Sequence, residues 1–114
     1  MATYLKGKSR KIVRQEGDDA DVTITIPEML PVVGATLKFA VFKQWQKVPF
    51  INKSVVMATQ AVTIPLVPDD TKGHPGLHFY EIEIVKPDGK ILTAATNHFE
   101  IIKELIKRHR KLKY

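Results

Sequence analysis

Cysteine is absent from the 114 residues, which excludes disulfides, thiolate zinc sites and cysteine nucleophiles. Serine occurs only as Ser9 and Ser54, neither in a nucleophile-elbow pattern, and tryptophan only as Trp45. No segment approaches the roughly 20 apolar residues of a membrane span. Met1 to Lys8 holds no apolar run of signal-peptide length. These absences lead to the expectation of a soluble chain, made in a cytoplasm and without a membrane partner. The length suits one domain, well above the roughly 40 residues below which metals or disulfides are usually needed.

Charge is plentiful but uneven. The formal net charge of +6 hides two basic ends and an acidic body. Residues 1–14 carry five basic groups and no acid, and residues 103–114 carry six basic groups against Glu104. The body between them carries seven basic groups against eleven acids. Basic ends can stay solvated, or bind nucleic acid or an acidic protein. Only Tyr4 and Tyr114 accompany these cations, whereas single-strand binding wants interleaved aromatics.

The most firmly specified stretch runs from Gly76 to Leu92 and reads as a β-hairpin. Tyr80, Ile82 and Ile84 alternate with Glu81 and Glu83, the period of a half-buried strand. Pro87 presets a turn and Asp88-Gly89 tolerates positive φ. This hairpin is the expected central pair of an antiparallel sheet. Further alternating runs are Val22-Ile24-Ile26, Leu37-Phe39-Val41 and Val62-Ile64-Leu66. Arg10 to Gln15 is a short strand anchored by Ile12, and Ile51 to Met57 an edge strand. Residues 67–76 read as a loop rich in turn residues.

About seven short strands, with no repeated helix–strand alternation, predict an all-β two-sheet sandwich. From residue 103 the spacing of Ile102, Leu105, Ile106 and Leu112 turns helical. The expected division is therefore a sandwich over 1–102 and a short basic C-terminal helix or linker over 103–114. Asn97 to Ile101 fits either a strand or a helix start, and the strand is the preferred reading.

Catalytic chemistry finds little footing. The histidines His74, His78, His98 and His109 sit in four contexts, none with metal-ligand spacing on one helix. His74 and His78 flank Pro75-Gly76, where Asp69 or Asp70 could join them at an ion. The plainer reading is a loop histidine, a strand histidine with a satisfied ring, and aspartates that cap a turn. Gly73-His74-Pro75-Gly76 lacks the context of a phosphate cradle. The expectation is a protein that is not an enzyme and takes no metal or cofactor. The better candidates are for protein interfaces: Met29, Leu30 and Val32 in an apolar loop, and Phe42 and Trp45 beside the third strand. Ile102, Leu105, Ile106 and Leu112 complete the set on the C-terminal stretch. Phe50 joins the aromatics, with core filling as its other reading.

The order of motifs carries a resemblance over roughly residues 9–102. An apolar strand end at Ile64 and Leu66 leads to Asp70-Thr71, Pro75-Gly76 and the aromatic strand Phe79-Tyr80-Glu81-Ile82. A Pro-Asp-Gly-Lys hairpin and a last strand near Asn97 to Ile101 follow. Gly17-Asp18-Asp19-Ala20 and Gly34-Ala35-Thr36-Leu37-Lys38-Phe39 fit as well. The sequence resembles the N-terminal immunoglobulin-like domain of bacteriophage baseplate upper proteins and related tail or fibre proteins. It departs at His78, where that family tends to place an aromatic, and at Asn97, where it tends to place a glycine. The resemblance implies an immunoglobulin-like sandwich in a phage tail or baseplate, with other virion proteins as partners. It also implies a homo-oligomer, a trimer by preference. Two other readings stand beside it: nucleic-acid association through the basic ends, and a carbohydrate-binding sandwich at a fibre tip with Trp45 and Tyr80 as stacking platforms.

Overall fold

Strands form where the alternation places them. A computed structural model describes residues 10–19, 21–26 and 32–104. The described chain runs β1 (Ile12–Gln15), β2 (Val22–Thr25), β3 (Thr36–Phe42), β4 (Ile51–Val56), β5 (Ala61–Ile64), α1 (Pro68–Thr71), β6 (Gly76–Val85) and β7 (Ile91–Ile102). The architecture is all-β. Five strands make one sheet in the order β1-β7-β6-β3-β4, and β2 and β5 pair as a separate ribbon.

The expected hairpin is present and central. β6 and β7 pair antiparallel from Gly76 opposite Ile101 to Val85 opposite Ile91, with a register shift between Ile82 and Glu83. Its turn closes through Lys86 N–H to the Lys90 carbonyl at 2.8 Å, and Gly89 takes the positive φ of 89° that the turn requires. β3 lies on the other side of β6, and β4 forms the expected edge. β1 pairs with β7 in parallel, so the first and last described strands are neighbours. No local sequence signal announces a pairing between residues so far apart in the chain.

One core joins the two sheets. Leu37, Phe39 and Val41 of β3, Tyr80, Ile82 and Ile84 of β6, and Phe99 and Ile101 of β7 are buried together with Val22 and Ile24 of β2 and Ile64 of β5. At its centre Phe39 meets Tyr80 at 5.8 Å and Phe99 at 6.1 Å between ring centroids, both tilted. Tyr80 spends its hydroxyl on the Arg10 carbonyl at 2.6 Å, so the buried oxygen is satisfied. Burial raises the pKa of this phenol above 10.0, and the hydrogen bond to Arg10 partly offsets the rise.

Two expectations need amendment, and the preferred strand reading of residues 97–102 holds. Residues 67–76 are not all loop: Pro68 to Thr71 make one helical turn. Proline suits the first helical position, and Asp70 Oδ2 accepts the Val67 N–H at 2.8 Å three residues back. That bond bears out the turn-capping reading of the aspartate. Val32, expected at an interface, is fully buried in the core. Its burial is explained by Gly34 and Ala35, whose backbones bond to Met57 on the β4 side and fold the loop inward. Residues 97–102 are strand, and Lys103 and Glu104 follow without helical structure. The helix expected beyond them, with Leu105, Ile106 and Leu112, lies outside the described residues, as do Met29 and Leu30.

Candidate functional site

β3 ends in an aromatic residue and a tight turn, and these two facts build the candidate surface. Successive strand residues face opposite sides, so burying Val41 turns Phe42 outward. Phe42 stands directly opposite Phe79 on β6, and Phe79 stands opposite His98 on β7. The Phe79 and His98 rings are 5.0 Å apart and tilted. A row of three rings therefore crosses the outer face of the five-stranded sheet at one end.

The turn after β3 adds the tryptophan. Gln46 N–H donates to the Lys43 carbonyl at 3.0 Å, which closes a four-residue turn. Trp45 occupies its third position with φ at 67°, the only positive φ of a non-glycine residue among those described. Glycine is the usual residue there, because an L side chain in this region is strained. The strained side chain is also 92% exposed. Strain together with full exposure makes this large aromatic group the leading candidate for contact with a partner. A groove of about 410 Å³ runs beside it, lined by Phe42, Trp45, Phe79 and His98, with Lys43 and Glu81 of opposite charge among the other lining residues.

The apolar character continues along the sheet face. Leu77, Val13 and Ile102 are each close to half exposed. Register places Leu77 and Val13 on either side of Glu100, which pairs with Lys11 at 2.7 Å. Such exposed apolar side chains make this face the candidate binding surface. Phe42, Trp45 and Ile102 from the sequence-derived set thus share one sheet face. Phe79 and Leu77 belong with them: Phe79 lies between inward-facing His78 and Tyr80 and Leu77 just before His78, so alternation alone places both outward.

His74, His78 and Phe50 form a separate cluster that closes one end of the core. Phe50 is half-buried, with its ring 4.4 Å from His74 and 4.8 Å from His78. The His78 ring Nε2 lies 2.8 Å from the His74 carbonyl, a bond from a strand residue back to backbone four residues upstream. His74 has its Nδ1 buried without a hydrogen-bond partner. Burial lowers its pKa from 6.5, and Lys43 and His78 lower it further while Glu16 opposes them. His74 and His78 do meet, but Asp70 is occupied by Lys53 at 3.0 Å and by the Val67 N–H. Among the described residues no group of three His, Asp or Glu is placed to hold a metal ion.

A buried carboxylate was not foreseen at all. Glu16 Oε2 accepts the Gly73 N–H at 2.7 Å and its Oε1 accepts the Glu104 N–H at 3.0 Å. The adjacent Gly17 N–H donates to Thr71 Oγ1 at 2.9 Å. One turn after β1 thereby ties α1, the loop before β6 and the exit of β7 together. In the sequence Glu16 is indistinguishable from a solvated turn residue.

Of the two rings considered for sugar stacking, Tyr80 is only 4% exposed and belongs to the core, which leaves Trp45 facing solvent. Compared with protein-family models and with curated proteins, the sequence matches none.

Proposed function

We propose that this chain is a non-enzymatic, immunoglobulin-like β-sandwich that serves as an assembly module of a phage virion. It works in the tail, baseplate or fibre attachment, by surface complementarity with other virion proteins and with copies of itself. The fold part of the reading draws on strand order. In immunoglobulin-like sandwiches a last strand lies beside the sixth and third, and the second and fifth pair on the facing layer. Here β7-β6-β3 with β4 outside, against β2-β5, matches that order, and the His78 bond back to the His74 carbonyl resembles the one a tyrosine makes at a corner of many such domains.

The functional part rests on one observation: the row Phe42, Phe79 and His98 beside a strained, fully displayed Trp45 on an open sheet face. Aromatic anchors in such settings carry a disproportionate share of interface energy. A specific contact of this kind buries about 1,200–2,000 Å² in total. The virion setting comes from the motif order quoted above, and a trimer is the preferred assembly on the same ground.

The test uses particles. Tailed particles purified from the bacterium that carries the gene are digested and their peptides identified by mass spectrometry. The chain is expected in the particles at a fixed ratio to the other tail proteins. A Trp45→Ser, Phe79→Ser double variant is expected to be lost from them. Particles that assemble without the chain overturn the proposal.

A further inference from the structure

Among the described residues, two strand edges face each other on one side of the molecule without pairing. β1 borders the five-stranded sheet and β2 borders the ribbon. Between them lies a groove of about 610 Å³. Its apolar lining includes Ile12, Ile82 and Ala95, and its charged lining is Arg10, Lys11 and Arg14 among the described residues.

The open edge of β2 can be read from hydrogen-bond parity. Thr25 stands opposite Ala61, and Ile26 N–H donates to the Gln60 carbonyl at 2.8 Å. In an antiparallel pair the bonded positions alternate. Val22, Ile24 and Ile26 therefore exchange bonds with β5, while Thr23 and Thr25 turn their N–H and C=O groups toward the groove. Arg14 confirms the parity, because its Nη2 donates to the Asp21 carbonyl, the next position on that side, at 2.9 Å. Among the described residues β2 has no second strand neighbour.

Charge selects the occupant. Among the described residues no acidic side chain lines the groove. Lys11 is paired with Glu100, but Arg10 and Arg14 make no ion pair among the described residues. Arg10, Ile12 and Arg14 lie two apart, so an extended chain places them on one side, and all three line the groove. A complementary strand presents carboxylate, apolar side chain and carboxylate at alternate positions. The ends of this chain do not fit: residues 1–9 hold Lys6 and Lys8 without an acid, and residues 103–114 hold six basic groups against Glu104. Nucleic acid fits less well than peptide, because a phosphodiester offers only acceptors to an edge that both donates and accepts.

We propose that the groove between β1 and β2 is a strand-docking site for an acidic, extended segment of a different protein. The segment pairs its backbone with Thr23 and Thr25 and sets alternate carboxylates against Arg10 and Arg14. Edge pairing of this sort draws affinity from main-chain bonds and specificity from alternate side chains. The site is separate from the Trp45 face and does not depend on the virion setting.

The test is a titration of the full chain, labelled for amide NMR, with the capped peptide Thr-Glu-Thr-Val-Thr-Glu-Thr. A lysine-for-glutamate version and an oligothymidylate serve as rival probes. The expected result is saturable shifts at Thr23 and Thr25 with slowed exchange of their amides, and no such change with the lysine peptide. An Arg10→Glu, Arg14→Glu double variant is expected to weaken binding about tenfold, the size of effect expected for two partly exposed charge contacts. If that variant does not fold, Arg10→Gln takes its place, with a smaller loss. The proposal is overturned if Thr23 and Thr25 amides are already protected in the free chain, or if the lysine peptide binds equally. Equal shifts with oligothymidylate overturn it as well, since they mark a phosphate site.

Discussion

Trp45 shows how a single residue can be set against the stability of its own turn. Its φ of 67° is one that glycine adopts freely and tryptophan does not. Replacing it with glycine is expected to stabilise the fold by about 1 kcal/mol, the strain relieved less the extra freedom of an unfolded glycine. The same change removes the exposed ring. Denaturant melts are expected to show Trp45→Gly more stable than the parent, and assembly assays to show it weaker. A less stable variant means that the ring is held by packing. His74 gives the second residue-scale prediction. Its pKa is lowered from 6.5 in the folded chain, chiefly by burial. Below pH 6.5 the unfolded state therefore binds the proton more readily, so acidification through that window costs stability. The melting temperature is expected to fall between pH 7 and pH 5 by more in the parent than in His74→Asn. Equal slopes would assign the acid sensitivity to other groups.

At the scale of elements, what was legible in the sequence was the part written as local alternation. The inward faces Leu37-Phe39-Val41, Tyr80-Ile82-Ile84 and Val22-Ile24-Ile26 are all buried as period two demands. The end of β5 at Ile64, just before Pro65, follows from the missing proline donor. What stayed illegible was whatever depends on distant partners. β1 finds β7 through a parallel register, and α1 is a single turn inside what reads as loop. On the candidate surface the half-buried Phe42 and the exposed Trp45 were legible, since each follows a strand pattern or breaks one. Val32 was not, because an apolar loop residue reads the same whether it folds inward or meets a partner. Glu16 is the extreme case, a turn residue by composition and a buried junction by position. Removing its carboxylate leaves the Gly73 and Glu104 N–H groups without an acceptor. Glu16→Ala is expected to cost roughly 3 kcal/mol, about that of two hydrogen bonds to a charged group. Chemical denaturation checks this, and a loss below the level of an ordinary surface substitution would show that the node is dispensable.

At the scale of the whole molecule, the proposed self-association has a direct readout. Light scattering on the full chain is expected to give a mass that is a multiple of the 12.9 kDa protomer at high concentration. Trp45→Ser with Phe79→Ser is expected to shift the balance toward the protomer. A strict monomer at every concentration would remove self-assembly from the proposal and leave the contact to other proteins. The two candidate surfaces also divide labour by geometry. The aromatic row uses a sheet face, where side chains decide the contact, while the β1–β2 groove uses a strand edge, where backbone does.

The parallel register of β1 and β7, Ile12 beside Phe99 through Gln15 beside Ile102, has a mechanical meaning. Chain enters β1 at one end of this seam and leaves β7 toward the other. A pull applied through residues on either side of the domain therefore slides the two strands along each other. All the bonds of the seam bear that load together, where an antiparallel hairpin pulled from its open end would yield them one after another. A load applied through the two flanks would thus meet the first and last described strands in shear, with their seam as the clasp.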